Sequence, residues 1–159
     1  MKKILWIILL SLLLSGCSNK YTNEEIVYNN YVNDLKKTTQ YNYVIPFDLE
    51  VYVDKIIETE VMYRVIIDNP KVSLRNIEAL VIHDKHSEDI FPSSGIFESK
   101  LNLIPGVINK SSNYVEGIIL AGYIPFEGDI KNLNAKFKIL FKYEDDDGNL
   151  QTIIYSTNK

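Results

Sequence analysis

Residues 46–68 read PFDLEVYVDKIIETEVMYRVIID, and the pattern of this stretch decides the fold. Apolar and polar residues alternate along it, first from residue 47 and again from residue 61. A period of two is typical of a strand with one buried face, so two half-buried strands are predicted. The second ends at Asp68-Asn69-Pro70, a turn signal. The residues expected to point inward are Phe47, Leu49, Val51 and Val53, then Val61, Tyr63, Val65 and Ile67.

Further β segments follow toward the C-terminus. A third strand, built on alternating apolar residues, runs over 77–83, and Tyr114–Ile124 is a long Ile-rich segment. Residues 135–143 and 150–157 predict a hairpin around Asp145-Asp146-Asp147-Gly148-Asn149, in which Asp147-Gly148 forms the turn. The connection 84–113 is expected to be irregular, because Pro and Gly residues interrupt it at two places.

Six or more strands separated by turns, without a βαβ pattern, predict an all-β antiparallel sandwich over residues 41–159. The run Glu60–Asp84 (EVMYRVIIDNP…NIEALVIHD) resembles the strand–Asn-Pro–strand hairpin of immunoglobulin-like domains in bacterial lipoproteins. Residues 117–126 (GIILAGYIPF) are similar to a later strand of such domains, in which glycine precedes an apolar strand ending in an aromatic residue. The resemblance implies an immunoglobulin-like β-sandwich and no particular activity.

The N-terminus carries the most specific motif. Met1-Lys2-Lys3 is a short positive segment, and Ile4–Leu14 is apolar but spans only roughly 16 Å as a helix, about half of a hydrocarbon core. Leu14-Ser15-Gly16-Cys17 then resembles the bacterial lipobox in all four positions. The resemblance implies that residues 1–16 are a lipoprotein signal peptide and that Cys17 carries the lipid, such as palmitate. The alternative is an ordinary secretory signal with a chance cysteine.

Residues 17–40 form the expected tether and a helix. Thr22 and Glu25 are spaced as a capping box, and basic Lys36 and Lys37 suit the last turn, so a helix is predicted over residues 23–37. Its Tyr-rich stripe leaves two alternatives open: the helix docks on the sandwich, or it stands as a semi-rigid stalk.

Charge and composition exclude several functions. The net charge is −4, and removal of Lys2 and Lys3 with the signal leaves 15 basic against 21 acidic residues. Such a chain has no footprint for nucleic acid. Because Cys17 is the only cysteine, no internal disulfide can form. The abundance of Ile, Asn, Lys and Tyr suggests an AT-rich genome of the Gram-positive type. The lipobox resemblance implies a position on the extracytoplasmic face of the cell membrane.

No pattern of catalytic or metal-binding residues emerges from the sequence. His83 and His86 lack further ligands nearby and are expected to be solvated loop residues. The acidic run before Gly148 fails the spacing of a calcium loop, since Tyr143 and Ile154 would occupy ligand positions. The loop serines lie in no nucleophile elbow. We therefore expect no enzyme activity, cofactor or metal.

Two strand faces carry charges of one sign. One is acidic and one is basic; they consist of Asp48, Glu50 and Asp54, and of Lys136, Lys138 and Lys142. Three interpretations stay open: both faces are solvated, the two strands are neighbours whose charges pair across the sheet, or the lysines face anionic lipid.

The preferred function is a non-enzymatic, membrane-anchored lipoprotein whose sandwich binds a protein or envelope partner. Long irregular connections often carry function, so the expected contact region is 84–113, with Phe91, Ile96, Phe97 and Ile104 as anchors. These side chains alternatively fold back over the open end of the sandwich. The other functions considered are an immunity- or exclusion-type lipoprotein, and a small hydrolase or ligand carrier.

Overall fold

The structure, a computed structural model, describes residues 22–85, 93–107 and 113–159. The predictions for the signal, the lipobox, Cys17, His86 and Phe91 therefore lie outside the described residues. The elements are α1 (Asn23–Lys37), β1 (Asp48–Ile57), β2 (Glu60–Asp68), β3 (Leu74–His83), β4 (Ser93–Leu103), β5 (Gly117–Pro125), a 3₁₀ helix (Ile130–Asn132), β6 (Lys136–Glu144) and β7 (Leu150–Asn158).

The seven strands form two antiparallel sheets in the orders β1-β2-β5 and β4-β3-β6-β7. Side chains from both sheets fill one apolar core, which confirms the predicted antiparallel sandwich. The second predicted strand is buried on every residue expected to point inward, from Val61 to Ile67. Aromatic rings occupy the middle of this core: Phe47 packs on Phe141, and Tyr63 packs on Phe137, with ring centroids 4.6 and 5.3 Å apart.

Helix α1 begins and ends where the sequence predicts. The Thr22 hydroxyl accepts from the Glu25 amide and the Glu25 carboxylate accepts from the Thr22 amide, so the capping box is complete. The helix docks on the outer face of the four-stranded sheet, where Val32 and Leu35 are buried. Of the two alternatives, docking is therefore what the structure shows, and the molecule has three layers: helix, four-stranded sheet and three-stranded sheet.

The prediction that residues 84–113 are irregular is wrong for the centre of this segment, because β4 occupies Ser93–Leu103. The polar residues and Gly95 in this segment hid the alternation, and the pairing of β4 with β3 is interrupted by two register shifts. The strand predicted over Tyr114–Ile124 begins later than expected. Tyr114 makes only an isolated bridge to Asn102, and β5 begins at Gly117.

The predicted β6–β7 hairpin is confirmed, but its turn is centred on Asp146 and Asp147 rather than on Asp147 and Gly148, since the Gly148 amide donates to the Asp145 carbonyl at 3.1 Å. Asp145 organises the turn, since its carboxylate accepts from the amides of Asp147 and Asn149. Gly148 takes a positive φ of 78°, a conformation that a side chain would strain. These bonds hold the pKa of the Asp145 carboxyl below its usual value, the Asn149 amide being the largest cause. The acidic run therefore serves as a turn.

Candidate functional site

Two lysines of β6, Lys138 and Lys142, contact helix α1. Lys138 Nζ donates to the carbonyl oxygens of Leu35, Lys36 and Thr38 at 2.9, 3.0 and 3.0 Å. Carbonyls in the last turn of a helix lack partners within the helix and carry the negative end of its dipole, so one ammonium group satisfies three of them. Lys142 Nζ lies 3.8 Å from the centroid of the Tyr31 ring, a cation–π contact.

The interpretation that the acidic face of β1 and the basic face of β6 pair across one sheet is wrong. Strand β1 belongs to the three-stranded sheet and β6 to the four-stranded sheet. The acids of β1 find other partners: Asp48 pairs with Lys71, Asp54 pairs with Arg64, and Glu50 accepts from the Tyr52 hydroxyl. Instead of facing lipid, Lys138 and Lys142 of the basic face contact the helix.

Apolar and polar contacts dock the rest of α1. Val32 and Leu35 pack on the outward side chains of β3 and β6, which are Leu80, Ile82 and Leu140. The Tyr31 hydroxyl donates to Glu78 Oε2 at 2.7 Å. Burial, followed by this bond and the negative charge of Glu78, raises the pKa of Tyr31 to about 12.

A groove opens where the N-terminal half of α1 meets β4. Its volume is about 410 Å³, and one wall is formed by Glu24, Glu25 and Tyr28 of the helix. The opposite wall is formed by Gly95, Ile96, Phe97 and Ser99 of β4. The β4 side therefore offers the apolar groups of Ile96 and Phe97, while the helix side carries Tyr28 and two exposed carboxylates in the first helical turn.

Gly95 positions the Phe97 ring in this groove. A Cβ atom at residue 95 would lie 2.8 Å from the Ala79 carbonyl oxygen and would also overlap the Phe97 ring. Because Gly95 has no Cβ atom, the Phe97 ring can lie against the strand backbone and contact α1. The centroid of Phe97 is 5.9 Å from that of Tyr28, edge to face, and 5.6 Å from that of Tyr31.

The structure brings together only part of the predicted contact set. Ile96 and Phe97 both line the groove, although Ile96 also packs against the main core and Phe97 packs beneath α1. Ile104 follows the far end of β4, roughly 23 Å along the strand from Phe97, beside Pro70 and Val115. Glu24 and Tyr28 were not predicted as site residues, and the only hint in the sequence was the spacing of Tyr28 and Tyr31 on one helical face.

The prediction that His83 is a solvated loop residue is wrong. The side chain is 1% exposed and lies between the rings of Tyr63 and Phe137, at centroid distances of 5.4 and 6.0 Å. Nδ1 accepts from the Lys85 amide at 3.2 Å. The reason is the strand register: His83 is the last residue of β3, opposite Phe137, and so it still points into the sandwich.

Within the described ranges, no group of three or more His, Cys, Asp or Glu side chains could hold a metal ion. No helix in the same ranges is long and apolar enough to cross a membrane. No family model matches the chain, and neither the curated proteins nor the solved structures contain a significant match to it. Functional inference therefore depends on the chain's own residues.

Proposed function

We propose that this chain is a lipid-anchored, extracytoplasmic lipoprotein with a non-enzymatic, immunoglobulin-like sandwich that binds a protein of the cell envelope. The observation that carries the proposal is the groove between α1 and β4, because Glu24 in its helical wall follows Cys17 by only seven residues in the chain. The anchoring rests on Leu14, Ser15, Gly16 and Cys17, and two or more acyl chains on one cysteine hold a protein stably at a bilayer.

The strand order supports the immunoglobulin-like assignment. In such domains strands A, B and E share one sheet, and strands C′, C, F and G can form the other. The orders β1-β2-β5 and β4-β3-β6-β7 correspond to these two sets when β1–β7 are taken in chain order as A, B, C, C′, E, F and G. The fold carries no activity by itself, so the function depends on the site.

The tether places the groove near the membrane in this proposal. Only five peptide steps separate Cys17 from Thr22, which limits the distance to roughly 17 Å even for an extended chain. Helix α1 then begins at Asn23, and Glu24 and Tyr28 form the groove wall within its first two turns. A partner that reaches the groove therefore lies close to the bilayer surface.

The chemistry of the groove defines the partner. Tyr28 and Phe97 offer aromatic surface, and Glu24 and Glu25 add negative charge at the rim. The complementary ligand is a protein segment that presents a Lys or Arg next to an apolar side chain. Buried aromatic anchors with a charged rim are the usual composition of such contacts.

Lipidation is tested with Cys17→Ser, with Ser18→Ala as the matched control. The serine variant should take up no labelled fatty acid and keep its signal, because the thioether sulfur is gone, whereas the control is processed normally. A Cys17→Ser protein that is still processed and membrane-bound contradicts the anchoring.

Partner binding is tested by photo-cross-linking in intact cells. A photoreactive amino acid replaces Ser99, which is exposed at the groove, and in a second strain replaces Asp147 at the tip of the β6–β7 turn. We expect a cross-linked envelope protein from position 99 only, and its yield should fall with Glu24→Lys. Equal adducts from both positions, or none from position 99, contradict the groove as the binding site.

A further inference from the structure

The sandwich has four edge strands, and they differ in how they are protected. An exposed edge presents unpaired backbone groups that a further strand can bind, so proteins usually block it with charges, bulges or a covering segment. The edges here are β1 and β5 of one sheet and β4 and β7 of the other. Their sequences and contacts can be compared one by one.

Three of the edges carry recognisable protection. Strand β1 contains four charged residues and a register irregularity near its end. Strand β4 contains two charged residues and two register shifts, and α1 packs along it. Strand β7 also lacks charged residues, but its edge is bound at Ile154, where the Asn42 amide donates to the carbonyl at 2.7 Å and the Asn42 side-chain oxygen accepts from the amide at 2.8 Å.

Strand β5 has neither charges nor a bulge, although β4 of the other sheet contacts it. Its sequence, GIILAGYIP, contains no charged residue over nine positions and pairs with β2 in an unbroken register. Among the described residues, no strand pairs with its other side. On its outer face Ile119 and Tyr123 are 59% and 55% exposed, with exposed Ala121 between them. This combination of a regular edge and apolar outward side chains suits the addition of a strand.

We propose that β5 binds an extended segment of another protein as an added strand of the three-stranded sheet. The charges at its two ends select the partner. Exposed Glu116 precedes β5 and exposed Glu127 follows it, so the segment that fits has alternating apolar residues in its middle and Lys or Arg at both ends. This surface belongs to the three-stranded sheet, whereas the groove lies where α1 meets β4 of the other sheet, so the proposal goes beyond the function proposed there.

A second copy of the chain fits this edge less well. Antiparallel pairing of two β5 strands centred on Ala121 sets Glu116 opposite Phe126 of the other copy, next to its Glu127. By symmetry, Glu127 of the first copy lies near Glu116 of the second at the other end of the strand pair. Like charges that face each other across a strand pair are destabilising, so both ends disfavour the dimer. The charge pattern therefore favours a basic-ended segment of a different protein.

The probe is a peptide of alternating valine and threonine with a lysine pair at each end, titrated into the ¹⁵N-labelled chain beginning at Ser18. We expect amide shifts concentrated at residues 117–125 and slower hydrogen exchange there. The same peptide with glutamate pairs should bind at least about tenfold more weakly. A peptide whose alternate amides are methylated should not bind, because the added strand loses its hydrogen bonds.

Two variants separate edge pairing from non-specific attraction. Ala121→Lys places a charge on the β5 edge, and Tyr52→Lys places the same charge in the same cross-strand row on the β1 edge, since both residues flank Arg64. Binding should fall at least about tenfold for Ala121→Lys and stay within about twofold for Tyr52→Lys. Equal binding by both variants, shifts spread over the surface, no binding by wild type, or a wild-type dimer that Ala121→Lys dissociates would each overturn the proposal.

Discussion

The outer faces of the two sheets differ although both carry a stripe of like charges. On the four-stranded sheet the lysines of β6 lie beside Leu140, and β3 adds Leu80 and Ile82, so the face is apolar enough to hold α1. On the three-stranded sheet the acids of β1 lie beside Tyr52 and face Arg64, and among the described residues Ile119 and Tyr123 of β5 stay exposed on this face. Both outer faces carry apolar residues, and the covered face is the one whose Lys138 also binds the carbonyl groups at the end of α1.

The largest expected effect comes from the core that both sheets share. Phe137→Ala should lower the free energy of unfolding by about 3–5 kcal/mol, because the ring is fully buried against Tyr63 and His83. Tyr123→Ala on the open face should change it by less than about 0.5 kcal/mol. Urea denaturation followed by circular dichroism measures both, and equal losses would show that the open face is packed.

The next largest effect concerns the docked helix. Leu35→Ala should cost about 2–3 kcal/mol, since the side chain is 0% exposed beneath α1 and the helix can partly rearrange over the sheet. Ile26→Ala in the same helix is the matched control, because Ile26 is 47% exposed. The control should leave stability within about 0.5 kcal/mol. Identical urea midpoints for Leu35→Ala and Ile26→Ala would mean that α1 does not contribute to the fold.

A smaller effect distinguishes Lys138, which binds the end of α1, from Arg64, which forms an exposed ion pair. Lys138→Met should lower stability by about 1–2 kcal/mol, because three carbonyl groups at the end of α1 lose their donor. Arg64→Met removes a pair with exposed Asp54 and should cost at most about 1 kcal/mol. High salt should abolish the loss of stability in Arg64→Met but leave that in Lys138→Met unchanged. A salt-sensitive loss in Lys138→Met would place that ammonium in solvent.

The alkaline limit of stability reports on the same helix. The pKa of Tyr31 is raised to about 12 in the folded protein from an ordinary value of 10.0. A raised pKa contributes stability that is complete below the unfolded value and is lost as the pH rises through this window. Tyr63, whose pKa burial also raises to about 12, adds to the loss.

The variant Tyr31→Phe should therefore flatten the fall in the urea midpoint between pH 10 and 12 without abolishing it. The matched control is Tyr123→Phe on the open face, which should keep the wild-type slope. A Tyr31→Phe protein whose midpoint falls as steeply as that of wild type would contradict the contact between Tyr31 and Glu78.

Local sequence pattern was enough to predict the hairpin strands and the helix. Alternation in β2 and the Thr22–Glu25 capping box each depend on residues close together in the chain. Strand β4 was missed because Gly95 and its polar neighbours acquire their strand geometry from pairing with β3. The burial of His83 likewise depends on register.

The candidate site could be predicted only in part. Ile96 and Phe97 were named from their apolar character, but the groove exists because α1 packs beside β4, which is about 70 residues away in the chain. The role of Lys138 depends on the same long-range contact with the end of α1. No sequence spacing encodes such a contact, so the basic stripe was assigned no structural partner.

Hydrogen exchange of the chain beginning at Ser18 tests most directly whether α1 belongs to the fold. An isolated helix of 15 residues is marginal in water, so its amides would exchange with little protection. We predict that amides 32–37 are protected nearly as strongly as those of β6, and that Leu35→Ala and Lys138→Met lower this protection while β6 stays protected. Rapid exchange of α1 in the wild-type protein, with β6 fully protected, would contradict the docked helix and the groove that it forms.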